Sequence, residues 1–578
     1  MNLPRIVLST CPKGYTQDLD KAIAPEETVR RVRARLEEAQ ADILAETRRV
    51  DVGRLGIPVY LSVCGADARR VMPTRKQMGK GSSPAQAQAS ALMELMERYA
   101  FFTFWERRPF FHEATWSEAE KDFGPALLPI EEIIRSVHDD IDPATARRLM
   151  DLRRWQFFPA TRLEDGATVW LPLDWFKLLG EFNGTSSGNS TEESLLQGLS
   201  ELVERHVCCH VDRERKETPT ITVEEDDDPV LRSLLNAFAR NGVRLILKDF
   251  SLGMPLPTVG AVAWDPATFP DASEIVFTAG TAATPAKAAV RAVTEIAQLG
   301  GDFCTHACYE ASGLSKFERL EDIDWLLRGP SVSLRSLPDV AHDDIRDELF
   351  AAVAGLAPLH AYAVETTHPE LGIPAHYTIV PGLDFRERDR NQSIGLFVGR
   401  KLAEEADEEE AAAGLAVLEE CRPHAHYLPF FKGMLAMRRG DHAAAHALFL
   451  EAAPLQPDDD AFALASFYAG YVLTLDGRWN EALPALEAAF TRCPAMKEYG
   501  NLAGVALFKL ERYDEAADYF SRVLRIDKGS AMDWANLGMC RKRAGKVDEA
   551  RRCLSTAVSL DASLDFARRA LEELDAQA

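Results

Sequence analysis

The sequence lacks long apolar runs, a secretion signal and an excess of basic residues. No stretch reaches the roughly 18 apolar residues that a membrane-spanning helix needs. The first ten residues have neither the apolar segment nor the cleavage site of a signal peptide. The formal net charge of −24 disfavours broad electrostatic binding to nucleic acid or to anionic membranes. These absences predict a cytoplasmic protein that binds no nucleic acid and no membrane.

The ten cysteines are scattered, and none of them forms a Cys-x-x-Cys pair. Structural zinc normally takes four ligands from well-spaced pairs, and a disulfide framework is unusual in a long cytosolic chain. Cysteine and histidine occur close together around Cys208 and Cys209, which lie between His206 and His210, and again in residues 304–308. We interpret both places as buried small residues beside histidines, not as metal sites.

A Walker A loop is also missing, because the Gly-Lys-Gly segment at residues 79–81 does not have the required Gly-x-x-x-x-Gly-Lys-Ser/Thr spacing. The glycines still permit a close approach of the backbone to a ligand, and Lys80 is a candidate phosphate contact. Any nucleotide site in this chain must therefore use a different construction.

What the sequence does contain is a Glu-x-x-Glu-Arg spacing that occurs twice, each time after a glycine-rich turn. Residues three or four positions apart share one face of a helix, so each copy presents two carboxylates and a guanidinium together. A single copy usually forms a solvated, salt-bridged helix surface. The repetition favours a shared anionic or metal-bound ligand. The two copies are Glu94-x-x-Glu97-Arg98 and Glu201-x-x-Glu204-Arg205.

Neighbouring residues extend this pattern. Ser90 lies one turn before Glu94 and joins the charged face of the first helix. A third candidate helix, residues 285–298, places Arg291 and Glu295 one turn apart, again after a strand and a glycine-containing turn. Carboxylate oxygens are ligands that Mg²⁺ prefers. The opposite, apolar face of the first helix carries Leu92, Leu95, Met96 and Tyr99.

At 578 residues the chain is expected to form two or more domains. The first part alternates helix patterns with short strand patterns, so we predict an α+β domain over residues 1–400. One helix is expected to start at Pro25, which acidic residues follow. The predicted strands include residues 57–63, 169–173, 243–247, 258–263, 276–280 and the segment around 373–383.

After residue 400 strand patterns disappear and a 34-residue period begins. Small residues recur in two registers, Gly470, Gly504 and Gly538 in one and Ala482, Ala516 and Ala550 in the other. Gly433 and Ala445 fit an earlier unit. This pattern resembles the tetratricopeptide repeat, in which small residues lie where paired helices touch. We predict an acidic helical linker over residues 401–422 and an all-α repeat solenoid over 423–578, with a capping helix at 564–574.

The first 400 residues resemble the YcaO family of ATP-utilising enzymes. The resemblance depends on the order and separation of several motifs, which are Gly79-Lys-Gly81, Ser90-x-x-x-Glu94-x-x-Glu97-Arg98, Ser187-Gly-Asn189, Glu201-x-x-Glu204-Arg205, Arg291-x-x-x-Glu295 and Val380-Pro-Gly-Leu383.

The resemblance implies a YcaO-type ATP-binding fold with ATP and Mg²⁺ as cofactors. Carboxylates would hold Mg²⁺ against the triphosphate, while basic and polar side chains contact the nucleotide. By motif, the metal-holding carboxylates are Glu94, Glu97, Glu193, Glu201, Glu204 and Glu295. The nucleotide contacts are Lys13, Lys80, Ser90, Asn189, Arg205 and Arg291. No residue is assigned as catalytic.

Family chemistry implies activation of a backbone amide in a peptide or protein substrate. A nucleophile adds to the carbonyl, ATP phosphorylates the oxyanion, and phosphate leaves. A neighbouring Cys, Ser or Thr gives an azoline, and external sulfide gives a thioamide. We find no winged-helix peptide clasp before residue 50 and no Pro-rich tail, which favours thioamidation with a TfuA-like or other sulfur-delivering partner docked on the repeats. The resemblance also implies a homodimer formed through the ATP-binding body.

Four alternatives stay open at this point. The first alternative to thioamidation is an azoline-forming cyclodehydratase of a ribosomal natural-product pathway, and the second is an accessory factor in the modification of a ribosomal protein. The third is a kinase or ligase of a small molecule, and the fourth is a non-catalytic repeat scaffold. The full set of carboxylates disfavours the scaffold, because acidic groups held together without a purpose are costly.

Overall fold

The computed structural model describes residues 5–51, 54–107, 111–271, 273–299, 317–386 and 391–576. The chain divides into two compact units. The first consists of Met1–Pro143 and Arg154–Arg390, and the second of Ala144–Arg153 and Asn391–Ala578. Residues 304–308, one of the two cysteine and histidine clusters, lie outside the described residues. None of the described helices combines the length and the apolar content that crossing a membrane requires.

The first unit has the α+β architecture that the sequence predicts. Its strands are β1 (Leu44–Arg49), β2 (Val59–Cys64), β3 (Lys76–Lys80), β4 (His112–Ala114), β5 (Trp155–Arg162), β6 (Thr168–Pro172), β7 (Thr185–Ser187), β8 (Thr220–Thr222), β9 (Arg244–Asp249), β10 (Thr258–Trp264), β11 (Val276–Thr281), β12 (Ser331–Ser333), β13 (Tyr362–Glu365) and β14 (Ala375–Ile379). Each strand predicted from the sequence overlaps one of these.

The helices up to residue 355 are α1 (Pro25–Glu38), α2 (Ala66–Val71), α3 (Pro84–Glu106), α4 (Trp116–Phe123), α5 (Ile130–Ser136), α6 (Pro143–Met150), α7 (Leu173–Gly180), α8 (Thr191–Glu214), α9 (Pro229–Arg240), α10 (Pro285–Leu299), α11 (Asp324–Leu327) and α12 (Ile345–Gly355). The predicted start of α1 at Pro25 is confirmed. Residues of α6 from Ala144 onward belong to the second unit.

The described strands of the first unit form three sheets. One has the antiparallel order β1-β2-β3, and the second has the order β11-β10-β9-β8-β12, in which β12 and β8 are parallel. The third has the order β4-β5-β13-β14-β7, and β6 also pairs with β5. A different sheet therefore supplies the strand that leads into each of the three longest charged helices, since β3 precedes α3, β7 precedes α8 and β11 precedes α10.

Two glycines bring a strand against the helix that follows it. A Cβ atom on Gly79 would lie 2.0 Å from the backbone nitrogen of Ala91, and one on Gly280 would lie 2.4 Å from that of Ala292. Both distances are far below van der Waals contact, so only glycine permits this approach. Strand β3 is thus held close to α3, and strand β11 close to α10. This fixes the direction in which the charged faces of the two helices point.

The second unit is all-helical. Its helices are α13 (Ile394–Glu405), α14 (Glu408–Cys421), α15 (Leu428–Arg438), α16 (His442–Ala452), α17 (Asp459–Leu475), α18 (Trp479–Arg492), α19 (Lys497–Lys509), α20 (Tyr513–Ile526), α21 (Ala531–Arg543), α22 (Val547–Leu560) and α23 (Asp565–Ala576). The last of these covers the predicted capping segment. The segment predicted as a linker falls in α13 and α14, where Leu402, Leu415 and Leu418 are buried.

The small residues of the 34-residue period lie where paired helices meet, as predicted. A Cβ atom on Gly470, Gly504 or Gly538 would come within 3.0 Å of Leu486, Phe520 or Leu554, each on the next helix. Ala482, Ala516 and Ala550 are fully buried. The repeat register read from the sequence is therefore confirmed.

A buried histidine behind α8 makes the first unit sensitive to acid. His376 on β14 is 1% exposed, its Nδ1 lies 2.9 Å from Ser194 Oγ, and burial lowers its pKa to about 3. Because the unfolded chain takes up this proton near pH 6.5 and the folded chain does not, stability falls as the pH decreases from 6.5 towards 3, by at most about 1.4 kcal/mol per pH unit.

We therefore expect the urea midpoint of tryptophan fluorescence to fall less steeply below pH 6.5 in His376→Asn than in the wild type. The exposed His342 provides a control, and His342→Asn should follow the wild-type pH dependence. A His376→Asn profile parallel to that of the wild type would contradict the assignment.

Candidate active site

Helices α3, α8 and α10 face one cavity of about 310 Å³ in the first unit. All of the predicted site residues except Lys13 contribute to its lining. They are Lys80, Ser90, Glu94, Glu97, Asn189, Glu193, Glu201, Glu204, Arg205, Arg291 and Glu295. Three segments that lie far apart in the sequence therefore form a single wall of carboxylates and cations.

The two faces of α3 are arranged as the sequence predicts. Leu92 and Leu95 have no exposed surface, Met96 is buried, and the three pack in one apolar cluster with α1 and Leu371. Burial of a leucine side chain contributes about 1.5–3 kcal/mol. The apolar face thus fixes the helix, and the other face presents its carboxylates to the cavity.

Burial makes several of these carboxylates hard to ionise. It raises the pKa of Glu94 and of Glu204, although neighbouring arginines and Lys80 act in the opposite direction. The pKa of Glu97 rises to about 8, chiefly through burial, with the charges of Glu201 and Glu94 adding to the effect. A bound divalent cation would favour the ionised form of these groups, so the donor set suits Mg²⁺, a cation that prefers oxygen ligands.

Positive groups stand among the carboxylates. Arg98 Nη1 lies 3.2 Å from Glu97 Oε1 and donates to Thr185 Oγ1 at 3.2 Å. Arg205 Nη2 lies 3.6 Å from Glu201 Oε1. These pairs leave both signs of charge at the cavity wall, which is what a site for a metal-bound polyphosphate requires.

Lys80 forms an ion pair with Glu295, which joins the Gly-Lys-Gly segment to α10. Burial lowers the pKa of Lys80 to about 8, and the nearby charge of Arg291 adds to this shift. Lys80 remains a cation for most molecules at neutral pH, and it is positioned to contact a phosphate.

Some buried polar atoms of the wall lack an internal hydrogen-bond partner. Within the described ranges, Arg291 Nε and Gln298 Oε1 are among them. Arg291 Nη1 donates to Gln197 Oε1 at 2.9 Å, a neutral partner. Since an unpaired buried polar atom costs about 1–3 kcal/mol, this part of the cavity suits a polar ligand that would supply the missing contacts.

Glu193 and Asn189 lie at the start of α8 and bond to each other. Asn189 Nδ2 donates to Glu193 Oε1 at 3.1 Å, and Glu193 Oε2 accepts the backbone N–H of Ala22 at 2.9 Å. Lys21 Nζ is 3.4 Å from Glu193 Oε1. Both oxygens of Glu193 are therefore engaged within the protein.

Lys13 is not brought into the main cavity. Its ammonium group contacts Asp20 at 2.9 Å and the buried Glu348 at 2.5 Å. These two acidic residues line a smaller neighbouring cavity of about 50 Å³, which shares Glu193 and Arg291 with the main one. The position of Lys13 as a nucleotide contact stays a prediction.

The lining also includes residues that were not assigned to the site from the sequence, among them Lys21, Arg98, Gln197 and Gln298. Helical spacing already places Arg98 on the charged face of α3, and it could have found two more. Gln197 lies one turn before Glu201 on α8, and Gln298 lies one turn after Glu295 on α10, so each continues the charged face. Lys21 is in a loop and carries no such spacing.

The cysteines of α8 do not join the histidines beside them as reactive groups. Cys209 is buried, and burial raises the pKa of Cys208 to about 12, so its thiol stays protonated at neutral pH. The prediction of a buried cysteine is confirmed for Cys209, whereas Cys208 is half-buried. His206 and His210 are treated separately below.

Comparison with known proteins gives two family matches. Residues 78–384 match the family described as YcaO cyclodehydratase, ATP- and Mg²⁺-binding. Residues 430–495 and 476–531 match the tetratricopeptide repeat. The first match covers more than half of the chain, and the second falls in the all-helical unit.

Three curated proteins are similar to this chain. An uncharacterised protein of Methanothermobacter thermautotrophicus is 25% identical over 411 residues, which is 66% of this chain and 98% of that protein. The ribosomal protein S12 methylthiotransferase accessory factor YcaO of Escherichia coli is 31% identical over 208 residues, covering 33% of this chain and 35% of the factor. An uncharacterised protein in the tfuA 3′ region of Rhizobium leguminosarum bv. trifolii is 26% identical over 305 residues, covering 49% and 67%.

Among solved structures, a heterocyclase in complex with substrate and cofactor has a TM-score of 0.51 to this chain. Its sequence is 21% identical, and the match covers 66% of this chain and 55% of that one. At this identity the likeness concerns the fold. The chain belongs to the YcaO family, its first unit is an ATP- and Mg²⁺-binding domain of that family, and its second unit carries tetratricopeptide repeats.

Proposed function

We propose that the first unit phosphorylates a backbone amide of a peptide or protein and thereby prepares it for conversion to a thioamide. The observation that carries the proposal is the convergence of three charged helix faces on one cavity. Five glutamates at one wall would repel one another in the absence of a cation, and burial already opposes their ionisation. A site of this composition is most stable with Mg²⁺ and a polyphosphate bound.

Each group has a role in this assignment. Glu94, Glu97, Glu201, Glu204 and Glu295 would hold Mg²⁺, with Glu193 at the edge of the set. When bound, Mg²⁺ neutralises charge that develops on the transferred phosphoryl group. Lys80, Ser90, Asn189, Arg205 and Arg291 would contact the nucleotide. The arginines orient the triphosphate, and the buried walls exclude water that would otherwise hydrolyse it.

The proposed reaction balances without an oxidant or reductant. Hydrosulfide adds to the amide carbonyl carbon, and the resulting oxyanion attacks the γ-phosphorus of ATP, which releases ADP. The C–O bond then breaks, and the former amide oxygen leaves with the phosphate. The products are a thioamide, ADP and phosphate. The residues named above bind and orient ATP for the second step.

One observation supports thioamidation over azoline formation. A relative of which 67% is matched is an uncharacterised protein in the tfuA 3′ region, and this favours a TfuA-like partner for the chain. The second unit contributes tetratricopeptide hairpins, and arrays of such repeats present binding surfaces for other proteins. We infer that a TfuA-like or other sulfur-delivering protein docks on the repeats.

The product of the reaction tests this assignment. Candidate substrate peptides incubated with the full-length protein, ATP, Mg²⁺ and sulfide should gain the mass of an oxygen-to-sulfur exchange, with release of ADP. Mass spectrometry of the intact peptide would measure it. Loss of one water from the peptide would instead identify an azoline-forming enzyme. ATP consumption with a phosphorylated small molecule as product would contradict amide activation.

A second function is favoured by the similarity to the Escherichia coli accessory factor, although the match spans about a third of that protein. In this alternative the chain assists the modification of a ribosomal protein. The two functions differ in what a purified system needs. Accessory activity would require the modifying enzyme and the ribosomal protein, and no mass change would appear in a free peptide.

A further inference from the structure

Three side chains that can bind a metal meet at the far end of α8, outside the lining of the ATP cavity. His206 and His210 are one helical turn apart, and Asp384 lies in the loop that follows β14. One ligand atom from each of the three lies within 4.8 Å of the other two. The sequence separation between the helix and the loop is more than 170 residues. We refer to these three residues as the His-Asp cluster.

The contacts of His210 leave one ring nitrogen for a cation. Its Nε2 lies 3.1 Å from Asp384 Oδ2, and its Nδ1 lies 3.2 Å from Glu214 Oε1. A neutral imidazole has one N–H group, so it can donate to only one of these two carboxylates. If Nδ1 donates to Glu214, the lone pair of Nε2 points at Asp384. A metal ion between Nε2 and Asp384 would satisfy both groups.

This arrangement matches the way proteins orient metal-binding histidines. A histidine ligand usually donates its second ring N–H to a carboxylate, which fixes the tautomer and makes the other nitrogen a better donor. Glu214 stands in that position for His210. His138 orients the carboxylate of Asp384 in a similar way. Its Nε2 lies 3.1 Å from Asp384 Oδ1, which leaves Oδ2 on the side of His206 and His210.

His206 lies beside the same place. Its Nδ1 accepts the backbone N–H of Asp384 at 3.0 Å, so this nitrogen is unprotonated, and it lies 4.0 Å from Asp384 Oδ2. The single lone pair of Nδ1 would have to leave this hydrogen bond to bind a metal ion. The backbone near the cluster is restricted. His138 has a left-handed φ of 50°, and Gly382, two residues before Asp384, has a φ of 100°.

We propose that His206, His210 and Asp384 bind a zinc ion at a site separate from the Mg²⁺ site. Tetrahedral zinc with bonds of about 2.0–2.1 Å to nitrogen places its ligand atoms roughly 3.3 Å apart. The observed separations from Asp384 Oδ2 are 3.1 Å to His210 Nε2 and 4.0 Å to His206 Nδ1. Reaching this geometry requires His206 Nδ1 to exchange its hydrogen bond from the Asp384 backbone N–H for the metal ion. Imidazole ligands favour zinc over Mg²⁺, which prefers oxygen.

The zinc ion would fasten the loop after β14 to α8. That helix also carries Glu201, Glu204 and Arg205 at the wall of the ATP cavity. The site is therefore expected to act on the position of these side chains. Three protein ligands leave a fourth position for water or a substrate group.

Metal binding by the full-length protein tests the proposal. The chelator-treated protein, kept in excess Mg²⁺ to occupy carboxylate sites, would be titrated with Co²⁺ and then with Zn²⁺. We expect one equivalent of Co²⁺ to give the intense visible absorption of tetrahedral nitrogen and oxygen ligation, and Zn²⁺ to displace it. His210→Asn and Asp384→Asn should each weaken binding at least 10-fold. Zn²⁺ should raise the unfolding temperature of the wild type but not of these two variants.

The exposed pair of His112 and Asp122, 2.8 Å apart, supplies the matched control. His112→Asn should bind Co²⁺ as the wild type does. Circular dichroism of each variant separates loss of metal from loss of fold, and the two cluster variants lie in different elements, so one of them is expected to fold. Weak octahedral absorption, or wild-type affinity in both folded cluster variants, would overturn the proposal.

Discussion

Glu204→Gln is expected to reduce Mg²⁺-dependent ATP hydrolysis by roughly 1,000-fold, because it removes a charged oxygen ligand from the centre of the proposed metal site. Glutamine keeps the volume of the side chain and one acceptor oxygen, so the substitution removes the charge and one ligand oxygen. Phosphate release at saturating ATP, measured across a range of Mg²⁺ concentrations, checks the prediction. Unchanged release would remove Glu204 from the site.

The same substitution should leave the ligand-free protein as stable as the wild type or more so. Burial raises the pKa of Glu204, which means that its ionised form is disfavoured in the folded state. An amide avoids that cost. The exposed Glu106 at the end of α3 supplies the control, and Glu106→Gln should retain full activity. A Glu204→Gln protein with a much lower unfolding temperature would indicate misfolding and not loss of a ligand.

Arg291→Gln is expected to lower kcat/KM for ATP by about 100-fold or more. Arg291 lines the cavity, and its Nη1 donates to the neutral Gln197, while its charge acts on the nearby Glu204. Loss of a positioned donor to a phosphoryl group commonly costs a factor of 100 to 1,000, as an order of magnitude. Initial rates at varied ATP separate a change in KM from a change in kcat.

The control for Arg291 is an arginine that faces solvent. Arg240, at the end of α9, is exposed, and Arg240→Gln should leave the rate constants unchanged. If Arg291→Gln and Arg240→Gln behave alike, the cavity wall on α10 does not contact ATP. A pure rise in KM would place Arg291 in ground-state binding of the nucleotide, without a larger role in the transition state.

The sequence predicts the elements of this site well, because local periodicity decides them. Leu92 and Leu95 recur at helical spacing opposite Glu94, and that spacing alone places the carboxylate on the cavity side. In the second unit, small residues such as Gly504 lie where paired helices touch, and this contact recurs every 34 residues. One sequence therefore shows the same pattern several times, which makes the prediction secure.

What the sequence cannot supply is contact between segments that no local pattern connects. The approach of Asp384 to His206 depends on where β14 lies relative to α8, and this depends on the sheet order. The pairing of Lys13 with Glu348 likewise joins residues 335 positions apart. The motif resemblance places Lys13 with the nucleotide, whereas the structure gives its charge two internal carboxylate partners.

The short helix α6 changes how the repeat unit is connected to the rest of the molecule. Residues 144–153 lie within the sequence of the first unit but belong to the second. Their side chains are integrated there, since Ala146, Leu149 and Met150 are buried and Arg153 forms an ion pair with Glu410 at 3.1 Å. The chain thus passes between the units three times instead of once.

A shortened chain that stops at residue 390 would therefore keep α6 and lose the helices that the second unit provides around it. The newly uncovered apolar side chains would favour aggregation. Replacement of the second unit by another repeat array would therefore have to include residues 144–153, because their buried side chains belong to it.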